Sequence, residues 1–128
     1  MEMKNKKLDR LEEMWTQQRI FMNLLREKRD FPNFPVDTST KSGQKILKSI
    51  THECMHELFE ANLLLKNSKD HRATDLKDFD KESYVEELCD ALHYFFEIAI
   101  LSGVSIEELY SAYIKKGEIN FDRVEKGY

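Results

Sequence analysis

The chain is poor in glycine, proline and cysteine: its 128 residues include 4 Gly, 2 Pro and 2 Cys. So few turn-forming residues exclude a many-stranded β-sandwich and favour helices. Cys54 and Cys89 have neither zinc-ligand spacing nor a disulfide framework around them, and they read as reduced core thiols of a cytoplasmic protein. Long apolar runs are missing as well. The longest, Ala91 to Leu101, is interrupted by His93 and Glu97 and is too short to span a bilayer. No secretory signal is visible. An excess of positive charge is also absent. At a net charge of -4 the chain is a poor candidate for binding a nucleic-acid polymer, though a small phosphate ligand carried on metal is compatible with it. No internal repeat and no low-complexity tract is found.

What is present is helical patterning. A length of 128 residues suits one domain with a real core, so residues 1–128 are expected to form a single all-α domain. Apolar residues from Leu8 to Leu25 form a stripe that predicts a helix over 7–29, ended by Phe31-Pro32-Asn33-Phe34-Pro35. A Thr/Ser-rich stretch from Asp37 to Ser42 caps a second helix running to about Lys66. Residues 67–80 are polar and charged and predict a loop; loops of that length within a compact domain are more often functional than idle. A third helix is predicted over 81–102, stopped by Gly103. Ser105 and Glu108 form a capping box for a fourth, to about Lys116, and a short fifth segment spans 118–126. The expectation is a four-to-five-helix bundle. The third helix is apolar almost all round, which predicts burial between its own bundle and a partner subunit, hence a homodimer.

Within the apolar runs lie two acidic pairs, Glu57-x-x-Glu60 and Glu87-x-x-Asp90. Residues three apart on a helix are offset by about 60° and about 4.5 Å along the axis, so each pair points one way and repels itself unless a cation intervenes. Two such pairs on facing helices make an oxygen cage of the kind Mg2+ prefers, and Mg2+ held this way usually also holds phosphates. Acids on helices are commonly no more than a solvated face. Apolar neighbours on both sides argue against that here, because a buried charge must be paired or metal-bound. The loop between the pairs supplies Lys69, His71 and Arg72, cations that suit phosphate. Spacing alone leaves Glu86 as good a ligand as Glu87, and Glu53 as an outer one.

The histidines open a different reading. Glu53-x-x-His56 and Asp90-x-x-His93 have the carboxylate-x-x-His spacing of di-iron carboxylate bundles. Such a centre needs two more carboxylates, for which Glu12, Glu13 and Glu108 are on predicted surfaces. His52, His56 and His93 serve equally as hydrogen-bonding partners of nearby acids.

Taken together, Glu57-x-x-Glu60, a basic loop, and Glu87-Leu88-x-Asp90-x-x-His93-Tyr94 resemble the all-α nucleoside triphosphate pyrophosphohydrolases, the superfamily of MazG-like enzymes and dimeric dUTPases. The C-terminal stretch, from Gly103-Val104-Ser105 through Asn120 and Arg123 to Gly127-Tyr128, is most similar to the dimeric dUTPases and their phage dCTP/dUTP pyrophosphatase relatives. The resemblance implies Mg2+-dependent hydrolysis of a pyrimidine deoxynucleoside triphosphate to the monophosphate and pyrophosphate, with dUTP favoured over dCTP. MazG-like cleavage of other or modified nucleotides is the alternative. It implies Glu57, Glu60, Glu87 and Asp90 as ligands of about two or three Mg2+ ions, selecting Glu87 over Glu86. Glu60, with Glu57, would orient or deprotonate the attacking water. Gln18 would read the pyrimidine edge, with His93 and Tyr94 near base and sugar. Lys69, Arg72, Lys116, Asn120, Arg123 and Tyr128 would contact the nucleotide. The chain departs from the family in its loop Lys66 to Arg72, which lacks the tryptophans many relatives carry there.

Overall fold

In the computed structural model, residues 9–76 and 78–127 are described. They form four helices, α1 Arg10–Lys28, α2 Lys41–Asn62, α3 Lys81–Leu101 and α4 Ile106–Glu125, so the chain is an all-α protein. By contacts it divides into two compact units, one of residues 1–35 with 99–128 and the other of residues 36–98.

In the first unit, Asp9 caps α1, its carboxylate accepting the Glu12 backbone N–H at 2.8 Å. Trp15, Gln18 and Met22, spaced by three and four, form the buried face of α1. The Phe34 ring lies under two guanidiniums, those of Arg19 and Arg26, at 5.2 and 5.1 Å. Gly103, at φ 79°, sits where α3 must stop. The Val104 N–H returns to Ala99 O and the Gly103 N–H to Ile100 O, a Schellman closure that needs the left-handed region. The predicted capping box opens α4: Ser105 Oγ accepts the Glu108 N–H at 3.1 Å, and the Glu108 carboxylate accepts the Ser105 N–H at 3.2 Å. The fourth helix and the short fifth segment prove to be one helix. Gly117 lies inside it without breaking it, at a propensity cost of about 1 kcal/mol that the flanking turns absorb.

The second unit begins with a tight turn. The Asp37 carboxylate accepts from both the N–H and the hydroxyl of Ser39, at 2.9 and 2.6 Å, and these bonds hold its pKa below the usual value. Thr40 caps α2 by accepting the Gly43 N–H at 3.0 Å. Any Cβ at Gly43 would run into the backbone carbonyl of Asp37. Gly43→Ala therefore forces the turn apart and is expected to destabilise the protein by roughly 1–3 kcal/mol, read as a lower denaturant midpoint at unchanged slope.

α2 ends four residues earlier than expected. Leu64 and Leu65 donate to Ala61 O and Asn62 O, so the chain tightens into i→i+3 turns before the loop. α3 opens with Asp80 accepting the Ser83 N–H at 3.1 Å and the Ser83 hydroxyl at 2.7 Å. Phe79 packs edge-on against Tyr84 at 5.2 Å, the arrangement of a hydrophobic staple.

α3 is less enclosed than its composition predicts. Ala91, Phe96 and Glu97 are buried, but Val85, Leu88, Leu92 and Phe95 are 39–47% exposed. Cys89, expected in the core, is also exposed, because it falls on that open side; Cys54 is buried as expected.

Candidate functional site

Small residues bring α2 and α3 together. The Cys54 thiol donates to the Ala91 carbonyl at 3.3 Å, a contact that only short side chains permit. Glu57 lies one turn after Cys54, whereas Glu87 and Asp90 lie before Ala91. With α2 and α3 antiparallel at this contact, the three acids arrive at the same level.

One carboxylate oxygen from each of Glu57, Glu87 and Asp90 lies within 4.8 Å of the others. Glu57 and Glu87 are half-buried and Asp90 is exposed. The pKa of Glu57 is pushed above the usual carboxylate value, first by burial, then by a hydrogen bond with Glu87, then by the charges of Asp90 and Glu87, with His56 opposing. Three carboxylates this close repel one another, and a cation among them would offset that repulsion. The donor set, all carboxylate oxygen, fits a hard divalent ion such as Mg2+. The group holds no histidine.

Glu60 stands one turn further along α2 and outside this trio. Its carboxylate instead lies 3.1 Å from His56 Nε2, both side chains well exposed. The histidine–acid pairing expected on this helix is present.

The remaining expected site residues are distributed as follows. Tyr94 is half-buried on α3. Its phenol is pushed above its ordinary pKa by burial, then by Glu53, Glu97, Glu57 and Asp90, which places it in the field of the acidic centre. His93, beside it, is exposed. Lys69 and Arg72 are exposed in the loop and joined by a turn, the Arg72 N–H donating to Lys69 O at 3.1 Å. Gln18 is 2% exposed on the buried face of α1. Its amide carries both a donor and an acceptor. Lys116, Asn120 and Arg123 recur at four and three residues along α4, on one exposed face. Lys116 and Asn120 border an open groove with Tyr113 and Phe121. Tyr128 lies outside the described residues.

One residue escaped the sequence reading. Glu97 registered only as an interruption of an apolar run, yet it is 4% exposed and burial alone pushes its pKa to about 7. The available signal was its spacing, three residues after Tyr94 and seven after Asp90.

No curated protein and no solved structure matches the chain significantly. A family profile described as dUTPase matches residues 7–128. That span carries both acidic pairs, the loop between them and all of the C-terminal stretch to Tyr128. With acids of both motifs meeting at one point on α2 and α3, and a family match over nearly its whole length, the chain belongs to the all-α dUTPase family and is a dUTP diphosphatase-like hydrolase.

Proposed function

We propose that this protein hydrolyses dUTP to dUMP and pyrophosphate as a single catalytic domain spanning residues 1–128, with Mg2+ held by Glu57, Glu87 and Asp90 and completed by Glu60. The observation that carries this reading is the meeting of three carboxylates, one oxygen from each within 4.8 Å of the others. Bound there, Mg2+ supplies positive charge to triphosphate oxygens and acidifies water.

The chain's own residues do the rest. Glu60, outside the trio with its carboxylate 3.1 Å from His56 Nε2, would accept a proton from water. Lys69 and Arg72 meet phosphate oxygens from one turn of the loop, and Lys116 and Arg123 meet them from one face of α4. Gln18 reads the uracil edge through its amide, Tyr94 and His93 flank base and sugar, and Asn120 with Tyr128 closes the site.

The working form is a cytoplasmic homodimer. The support is the α3 stripe Val85, Leu88, Leu92 and Phe95, at spacings of three, four and three, together with α4, none of whose described residues is buried. Tyr113 and Phe121 on α4 are 77% and 74% exposed. Apolar helix faces of this kind normally have a partner. No single helix among the described residues is long and apolar enough to cross a membrane.

The test is a panel of nucleoside triphosphates with Mg2+, assayed for pyrophosphate, on protein whose mass is read by light scattering. Pyrophosphate release fastest from dUTP, by a species of twice the 15.2 kDa chain mass, is expected. Release from dCTP or a purine nucleotide instead would overturn the substrate, and a monomer would overturn the dimer.

A further inference from the structure

Two arginines of α1 meet at one aromatic ring. Arg19 and Arg26 are seven residues apart, so they share one side of the helix, within about 20° of each other. Phe34, in the segment that follows α1, brings its ring to both. The guanidinium carbons stand 5.2 and 5.1 Å from its centroid, so the two cations are no further apart than twice that distance. Like charges this near repel, and no acid relieves them. Among the described residues no ion pair includes Arg19 or Arg26, although the chain has 24 acidic residues against 20 Lys and Arg.

Stacking leaves a guanidinium most of its hydrogen-bonding capacity. The ring takes its face, while the N–H donors lie in its plane, around the edge. Arg26 commits one of them, Nη2 donating to Asn23 Oδ1 at 2.9 Å. Both arginines are exposed, whereas Asn23 and Phe34 are half-buried. The outcome is a pair of donor forks already restricted in place, which lowers the ordering cost of a ligand that engages both. Each fork matches the oxygens of a carboxylate or phosphate two at a time. Two cations without acids call for two negative charges on one compact body. A diphosphate group supplies them; a single carboxylate does not. All of these residues belong to the first unit, and the carboxylate trio belongs to the second.

We propose that Arg19 and Arg26, stacked on Phe34, form a binding site for a diphosphate-bearing anion. The guanidiniums contact the anion, and the ring and Asn23 hold them in place. The site takes its anion without a metal ion, so it does not rest on the dUTP-hydrolysing reading.

The experiment is a calorimetric titration of the full chain with inorganic pyrophosphate and a chelator, so that no cation carries the anion to Glu57, Glu87 and Asp90. Saturable binding of one pyrophosphate per chain is expected, weakening as salt is raised. Arg19→Gln or Arg26→Gln should weaken it by roughly tenfold or more, the scale of one charge-assisted pair. Arg26→Lys keeps the charge but loses the fork, and should weaken it nearly as much. Phe34→Leu keeps both arginines and removes the ring, for a loss of about threefold. Arg29→Gln removes an exposed charge outside the stack and should change nothing. Sulfate binding as tightly as pyrophosphate would mean an adventitious ion only and would overturn the site. So would parent-like binding by Arg26→Lys, or binding that survives Arg19→Gln and is lost with Lys69→Gln. A nucleoside diphosphate titrated in the same way separates the sources. Tighter binding than pyrophosphate assigns the site to a nucleotide, and weaker binding assigns it to free pyrophosphate.

Discussion

Glu87→Gln will abolish Mg2+-dependent hydrolysis and at the same time make the metal-free protein more stable. The loss is expected to be on the order of a thousandfold or more, because the cation's stabilisation of developing charge is worth several kcal/mol and each 1.4 kcal/mol is a factor of ten. The gain has the same origin. Without a cation, Glu57, Glu87 and Asp90 crowd three carboxylates within 4.8 Å, and Glu57 can relieve the crowding only by holding a proton it would otherwise lose. Its pKa is raised in the folded state, so the folded chain binds more protons than the unfolded one. Stability from this source is fully present below the unfolded value of 4.5 and declines as pH rises through the folded value. An amide at position 87 removes one charge and donates a hydrogen bond to Glu57, which flattens that decline. Mg2+ should flatten it too, in the unaltered protein and not in the variant. Thermal melts from pH 4 to 8, with and without Mg2+, check this. A variant that melts lower than the parent in the absence of metal would show that the trio is stabilised by something other than a cation.

The second large effect belongs to Glu97. Burial raises its pKa from 4.5 to about 7. The folded protein therefore keeps a proton that the unfolded chain has lost, and the contribution to stability runs downward with pH. It is whole below pH 4.5, is lost progressively between 4.5 and 7, and above 7 the folded state carries a buried charge at a cost of about 3 kcal/mol. Glu97→Gln removes that cost. At pH 8 the variant should be more stable than the parent by up to about 3 kcal/mol, a change of several degrees or more in Tm, while at pH 4 the two should coincide. Urea unfolding at both pH values measures the difference directly. Equal gains at the two pH values would mean that Glu97 is not the titrating group.

Several elements were readable in the sequence because their causes are local. Gly103 stops α3 because the closing residue needs positive φ, and Ser105 with Glu108 opens α4 because the two side chains satisfy each other's backbone N–H groups. The extent of α4 was not readable. Gly117 looks like a break in isolation, yet helix on both sides carries through it once the cap and the turns are formed. The open side of α3 was not readable either, since apolar composition predicts burial without saying against what.

The acidic site divides the same way. Spacing by itself determined that each pair, Glu57 with Glu60 and Glu87 with Asp90, shares one face of its own helix, because helical periodicity is a property of a single segment. Choosing Glu87 over Glu86 took the family resemblance, and the structure brings Glu87 to the cluster. Which acids meet was decided only by tertiary structure. The Cys54–Ala91 contact sets the level at which antiparallel α2 and α3 cross, and at that level three acids converge while Glu60, one turn away, pairs with His56. The burial of Glu97 is likewise a tertiary fact: its charge is written in the sequence, but the proton it holds depends on what is packed around it.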